Sequence, residues 1–357
     1  MKLLEWFGLQ GGAAAGKKGK VTHKVSVAPG GQSFEVEKGR KVILNSALSA
    51  GLGFPHNCRV GSCTQCKCKL KSGKVRELTD SSYVLSAEDL KAGMILACQS
   101  IPETDLEIEV ELTSGGDRLV ETRGTIVGQK DLTHDIVELR VALDDPMPFK
   151  AGQYAEIRLE EFSLSRNYSF AIAPKGQEAN ELVFHVRKVP GGKFTEWLFA
   201  ANRQETRLSM SGPFGDFYLR PAEGEKPAPI VCVAGGSGMA PILSLLEQAK
   251  WAGETRDAVY LFGARTQRDL YADEEIGRIQ QGWRGSLNFK QVLSEEPANS
   301  SWNGARGYVT DELDKLELEW PQVQAYLCGP PAMIDAAIAK FSKLGVKAEN
   351  IRYDKFE

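Results

Sequence analysis

The chain has no strong charge of either sign: across 357 residues the formal net charge is -3, with charged residues at 25%. That removes the electrostatic footprint of a nucleic-acid binder or a polybasic membrane patch. No apolar run approaches the roughly 18 residues a spanning helix needs, and Met1 to Lys20 lacks the basic-then-apolar order of a secretory signal. A cytoplasmic protein with no membrane span is expected. The chain is too long for one ordinary core, so it should divide into two or three domains. Histidine is scarce, at four residues, whereas the seven cysteines are unevenly spread. Four of them lie between Cys58 and Cys68, which points to metal before disulfides.

Cys58, Cys63 and Cys66, followed far along by Cys98, form C-x4-C-x2-C and then C, the plant-type [2Fe-2S] spacing. A short loop with Gly61 and Ser62 lets three thiolates wrap around a cluster, while backbone N–H groups offset the charge on its sulfides. Structural zinc usually wants paired C-x2-C knuckles, and only Cys63 and Cys66 make one. A Rieske centre needs two histidines, and His56 has no second partner nearby. Cys68 reads as a strand residue facing a core. Lys41 to Leu44 and Leu106 to Leu112 read as flanking strands. Residues 21–112 resemble a plant-type ferredoxin domain, a β-grasp fold, and the block Cys63 to Lys67 is typical of ferredoxins fused to oxygenase reductases.

A polar, glycine-rich joint at 113–118 separates this segment from short β-rich runs, Thr125 to Leu143 and Gln153 to Leu159, which read as an antiparallel barrel. Within it, Arg166-Asn167-Tyr168-Ser169 offers an aromatic face for a flat isoalloxazine, a hydroxyl for its N5 edge and a guanidinium for a diphosphate. The strand Phe184 to Lys188 carries the further candidates His185, Val186 and Lys188. Gly191-Gly192-Lys193-Phe194-Thr195 then leads into a helix over Glu196 to Ala201, where Gly192, Lys193 and Thr195 could meet a second phosphate at the helix start. Residues 119–222 resemble the FAD-binding domain of the ferredoxin-NADP reductase superfamily.

Residues 223–357 alternate strands and helices, which implies a parallel sheet with its ligand at the carboxyl ends of the strands. The apolar run Pro229 to Val233 ends in Ala234-Gly235-Gly236-Ser237-Gly238-Met239-Ala240-Pro241. This lacks the G-x-G-x-x-G pattern but keeps its physics, a strand, a glycine turn and a helix opening that leaves bare N–H groups at Gly236, Ser237 and Gly238 for a pyrophosphate. A second strand leads to Arg265 and Asp269, beside the expected ribose. A later one, Val323 to Leu327, ends in Cys328-Gly329-Pro330-Pro331-Ala332-Met333, read as an exposed turn at the cofactor edge. The pair of glycine motifs resembles the NAD(P) domain of the same superfamily. That resemblance implies that Cys328 lies near the nicotinamide, with Gly329, Pro330 and Met333, and that a C-terminal aromatic covers the isoalloxazine. Phe356 is the candidate, because Tyr353 falls in the last strand. Arg265 and Arg268 could serve a 2'-phosphate, but the neighbouring Asp269 favours NADH.

The expected architecture is therefore multidomain α+β and α/β: a β-grasp [2Fe-2S] ferredoxin, an antiparallel FAD-binding barrel and a parallel α/β NAD-binding domain, preceded by an extension over residues 1–20. The order resembles reductase components of multicomponent oxygenases. It implies hydride transfer from NADH to FAD, with Ser169, Cys328 and Phe356 at the reacting centre, and single electrons leaving through the cluster. The recipient would be a Rieske or diiron oxygenase component or an intermediate ferredoxin. The same domain order would also suit the reductase of a deoxysugar dehydratase system. A pure electron carrier with a vestigial nucleotide domain is disfavoured by the intact glycine turns.

Overall fold

The computed structural model describes residues 21–39, 41–56, 59, 61, 64–112, 118–159, 164–176, 178–221 and 227–356. The N-terminal extension and two of the candidate cluster ligands, Cys58 and Cys63, lie outside the described residues. The chain divides into two compact units, residues 1–47 with 59–112 and residues 48–58 with 113–357. Among the described residues no helix is long and apolar enough to cross a membrane.

The first unit opens with a hairpin, β1 (Thr22–Ala28) and β2 (Ser33–Glu37), followed by α1 (Ile43–Ser49). Then come β3 (Lys67–Ser72), β4 (Val75–Glu77), α2 (Ala87–Lys91), β5 (Met94–Leu96), β6 (Ser100–Pro102) and β7 (Leu106–Glu109). The sheet order is β2-β1-β7-β3-β5, with β1 and β7 parallel and the other pairs antiparallel. This is the mixed sheet of a β-grasp. Val25, Val27, Phe34, Val36, Leu106 and Ile108 are buried at alternate positions, as one covered face of a pleated sheet requires. The strand expected at Lys41 to Leu44 is not there; Ile43 and Leu44 begin α1. Ile43, Leu44 and Ala47 are buried together, the one- and three-residue steps of a helical stripe, which a four-residue window could not separate from an apolar strand.

The second unit begins with β8 (Val120–Asp131), β9 (Ile136–Met147), β10 (Tyr154–Leu159), β11 (Leu164–Ser169), β12 (Ala179–Arg187), α3 (Lys193–Ala200) and β13 (Arg207–Phe214). Its antiparallel order is β11-β10-β13-β8-β9-β12, and the Phe170–Phe184 bridge joins the ends into a barrel. Along β12 the side chains alternate. Leu182, Phe184 and Val186 enter the barrel core, while Val183 packs outward with Ala240. Helix α3 starts at Lys193, three residues before the expected Glu196, because Phe194 already belongs to the buried face with Leu198.

The chain continues through β14 (Ile230–Gly235), α4 (Met239–Trp251), β15 (Ala258–Ala264), α5 (Asp273–Gly282), β16 (Leu287–Leu293), β17 (Ala305–Arg306), β18 (Gln324–Gly329), α6 (Pro331–Lys343) and β19 (Ile351–Lys355). The sheet is wholly parallel, in the order β17-β16-β15-β14-β18-β19. Every residue of β14 and β18 is buried, as expected for strands covered on both faces. The strand order reverses between β14 and β18, so the carboxyl ends carrying Gly235 and Gly329 flank the topological switch point, where open α/β sheets bind their ligands.

Candidate active site

Of the four candidate cluster ligands, Cys66 and Cys98 are described, and both are buried at 3% exposure. The Ala97 amide donates to the Cys66 carbonyl at 3.1 Å, which sets the two ligand-bearing segments side by side. Ahead of Cys66 the backbone is left-handed at Arg59, Gly61 and Thr64. A Cβ on Gly61 would stand 2.9 Å from Gln99 Cγ. Gln99 Nε2 donates to the Arg59 carbonyl at 3.3 Å and to Cys98 Sγ at 3.7 Å, and Thr79 Oγ1 donates to Gln99 Oε1 at 3.1 Å. Two buried thiols, with an amide donor on one sulfur and Gly61 packed against that donor's side chain, fit a [2Fe-2S] cluster. Cys68, in β3, is 1% exposed, and burial pushes its thiol up to about 12, the behaviour of a core residue rather than a ready thiolate.

On the barrel, Arg166 and Asn167 are exposed, and Tyr168 stacks at a tilt on Phe194 with centroids 5.3 Å apart. Ser169 is buried and its hydroxyl donates to Asp354 Oδ2 at 3.4 Å. His185 is buried, and burial pulls its ring down to about 3, so it is neutral. The Val186 side chain is wholly inside the barrel core, so only its main chain is available to a ligand. Lys188 is exposed and lies over the Phe199 ring. The Gly191-Gly192 turn closes on itself: Gly191 N–H donates to Glu196 Oε1 at 2.9 Å and Gly192 N–H to the Val189 carbonyl at 2.9 Å. Thr195 Oγ1 accepts from Val189 N–H and reaches the Val189 and Gly192 carbonyls, so its hydroxyl is engaged within the turn. The first-turn amides of α3, beginning at Lys193, are the donors this element offers to a phosphate.

At the switch point lies a cavity of about 230 Å³ lined by Gly235, Gly236, Arg265, Asp269, Pro330 and Met333 of the parallel domain, and by Asp135 and Arg187 of the barrel. The backbone here is packed to the limit of glycine. A Cβ on Gly238 would stand 2.3 Å from the Cys328 carbonyl oxygen, and one on Gly329, at φ 141°, 2.9 Å from that of Gly235. Pro330 is exposed, but Cys328 and Gly329 are buried, so the edge is less open than its composition implied. Burial, with Asp354 adding to it, pushes the Cys328 thiol far up, and it stays protonated. Arg265 Nη2 contacts Asp269 at 2.6 Å and Asp135 at 3.2 Å, and Arg187 Nε contacts Asp135 at 3.1 Å. Burial opposes ionisation of Asp269, yet the Thr266 amide and Arg265 together hold its carboxyl below the usual carboxylate range. A backbone-lined cleft with fixed charges at one end fits a nicotinamide dinucleotide.

Three residues of this region escaped the sequence reading. Asp354 lies 185 residues from Ser169 and pairs with Cys328 across β18 and β19. Burial lifts its carboxyl to about 6, Asp216 adds to the rise and Ser169 opposes it. Arg187 and Asp135 bring barrel charges to the cleft. For Arg187 a signal existed: on a strand whose side chains alternate, a position shared with His185 is Arg187 and not Val186. Phe356 is half-buried against the core beside the cleft, and its amide donates to the Gly329 carbonyl at 3.0 Å.

The chain matches three protein families: the 2Fe-2S iron-sulfur cluster binding domain over residues 25–103, the oxidoreductase FAD-binding domain over 123–218 and the oxidoreductase NAD-binding domain over 232–338. It is 46% identical over 333 residues to the xylene/toluene monooxygenase electron transfer component XylA of Pseudomonas putida, covering 93% of each chain. It is 35% identical to the reductase component of the naphthalene 1,2-dioxygenase system of the same species, covering 86% of this chain and 90% of the relative. Among solved structures, the Amycolatopsis cytochrome P450 reductase GcoB superposes with a TM-score of 0.85 at 31% identity, covering 94% of this chain and 99% of that one. With the three matched domains and these relatives, the chain belongs to the family of NAD(P)H-dependent reductase components of oxygenase systems, which carry FAD and a [2Fe-2S] cluster.

Proposed function

We propose that the chain takes hydride from NADH at its switch-point cleft and delivers single electrons, through a cluster held by Cys58, Cys63, Cys66 and Cys98, to an oxygenase component of Rieske or diiron type or to an intermediate ferredoxin. The observation that carries this reading is the shared cleft, where Asp135 and Arg187 of the barrel stand beside the glycine ends of the parallel sheet. FAD, when bound, accepts a hydride as an electron pair and releases the electrons one at a time, as a [2Fe-2S] cluster requires.

The chain's own residues bind and orient. Tyr168 and Arg166 hold the flavin's ring and diphosphate, with the first-turn amides of α3. Gly236, Ser237 and Gly238 offer backbone donors to the dinucleotide, and Cys328, kept protonated, shapes the nicotinamide end as a neutral group. Above about pH 6 the Asp354 carboxylate accepts a charge-assisted hydrogen bond from the Ser169 hydroxyl; below it the carboxyl carries its own proton and the bond loses that charge. Asp269 and Asp135 leave Arg265 neutralised on both sides, an arrangement that accepts a ribose hydroxyl and repels a 2'-phosphate, hence NADH.

Anaerobic titration with NADH, combined with iron and flavin analysis, tests the proposal. Flavin bleaching and a reduced-cluster signal should develop together. Bleaching with no cluster signal, or protein without iron, contradicts it.

A further inference from the structure

Strand β12 turns the row Val183, His185 and Arg187 away from the barrel core and toward the NAD-binding half. Val183 packs with Ala240, and Arg187 Nη1 lies 3.2 Å from where a Cβ of Gly236 would be. Between them His185 meets Tyr271, which follows β15 and is only 7% exposed. A buried tyrosine hydroxyl needs partners. Tyr271 donates to the Gly236 carbonyl at 3.1 Å and lies 3.4 Å from His185 Nδ1. Because His185 is neutral, a proton on Nδ1 lets the imidazole donate to the tyrosine oxygen, completing a chain from barrel strand to glycine turn. The ring's orientation is fixed by edge contacts with His185 at 5.4 Å and Phe262 at 6.0 Å.

The consequence falls on the turn. Gly236 has φ 56° and opens the glycine turn; its carbonyl accepts both from Tyr271 and from the Met239 amide. A peptide unit is planar and trans, so a carbonyl held toward the buried hydroxyl points the next N–H, that of Ser237, the opposite way. We propose that Tyr271 is a positioning residue for NADH: it sets the direction of the Ser237 amide in the turn that receives the pyrophosphate and ties that turn to β12. This rests on the reading of the cleft as the NADH site.

The test compares Tyr271→Phe with wild type, both as full chains loaded with FAD and cluster. Phenylalanine keeps the ring and removes the hydroxyl, leaving the Gly236 carbonyl and the His185 nitrogen each short of a partner. The KM for NADH should rise roughly tenfold, with kcat within about twofold, because binding common to ground and transition states is lost. Ferricyanide reoxidation of dithionite-reduced protein should be unchanged. An unchanged KM, or a kcat that falls as much as KM rises, overturns the proposal. If Tyr271→Phe does not retain FAD, 3-fluorotyrosine placed at 271, a stronger donor of the same shape, should lower the KM; no change overturns the proposal. Wild-type protein that does not oxidise NADH contradicts the functional reading itself, a failure visible before any variant is made.

Discussion

Two glycine turns, each leading into a helix, are built differently. In the Gly191-Gly192 turn before α3 a Cβ on Gly191 would meet nothing within 4 Å, one on Gly192 would meet only residues of the turn itself, Val189 and Thr195, and both amides are satisfied from within by Glu196 and Val189. The Gly235 to Gly238 turn before α4 is hemmed in by Cys328, Met333 and Arg187, and its Gly236 carbonyl is held by Tyr271. In the first, glycine supplies a left-handed φ of 74°. In the second, the missing side chain lets two strand ends approach closely, which shapes a backbone-lined cleft. Gly191 is thus a matter of chain conformation, whereas Gly238 and Gly329 are needed for the close approach of two strand ends at the cleft.

Substitutions can break or sharpen that contrast. The largest effect is expected at Gly238→Ala, where the Cβ would stand 2.3 Å from the Cys328 oxygen and the backbone must move. Flavin reduction by NADH should slow about 100-fold while FAD stays bound, since a displacement near 1 Å costs on this order; stopped-flow reduction checks it. Next is Asp354→Asn. Flavin reduction in wild type should change across pH 6, and the variant should lose that dependence and run about tenfold slower above it, where a charged hydrogen bond to Ser169 is missing. The sign for stability follows from the raised carboxyl: its folded value of about 6 exceeds the ordinary 3.8, so its stabilising contribution is present below 3.8 and lost as pH rises through 6. The variant should therefore gain melting temperature over wild type at pH 8 and show little difference near pH 4. The smallest effect belongs to Gly191→Ala, which should cost about 1 kcal/mol of stability from the left-handed backbone alone, with the KM for NADH unchanged in steady-state assays.

How much of this could be read from the sequence divides along the same line. Features that are local in the chain were legible: the cysteine spacing, the strand–turn–helix context of both glycine motifs, the alternation of strands and helices, and Tyr353 inside the last strand. Features created by packing were not. Nothing near Ser169 announces Asp354, and nothing near Tyr271 announces His185, because each pair joins distant elements. The closure of the Gly191 turn by Glu196 was hidden because a helix-start glutamate is ordinary in any helix. Ile43 and Leu44 begin a helix that the sequence alone does not distinguish from a strand, because a short apolar run has no period of its own.

Electrons are proposed to flow in through the nicotinamide cleft and out through the cysteine loop. Replacing Cys66 with Ser in FAD-loaded protein tests this direction most directly, by comparing NADH-driven reduction of ferricyanide, which can draw on the flavin, with reduction of cytochrome c or the oxygenase component. Ferricyanide reduction should survive while the second activity is lost. Loss of both in folded, FAD-loaded protein would contradict the order of transfer.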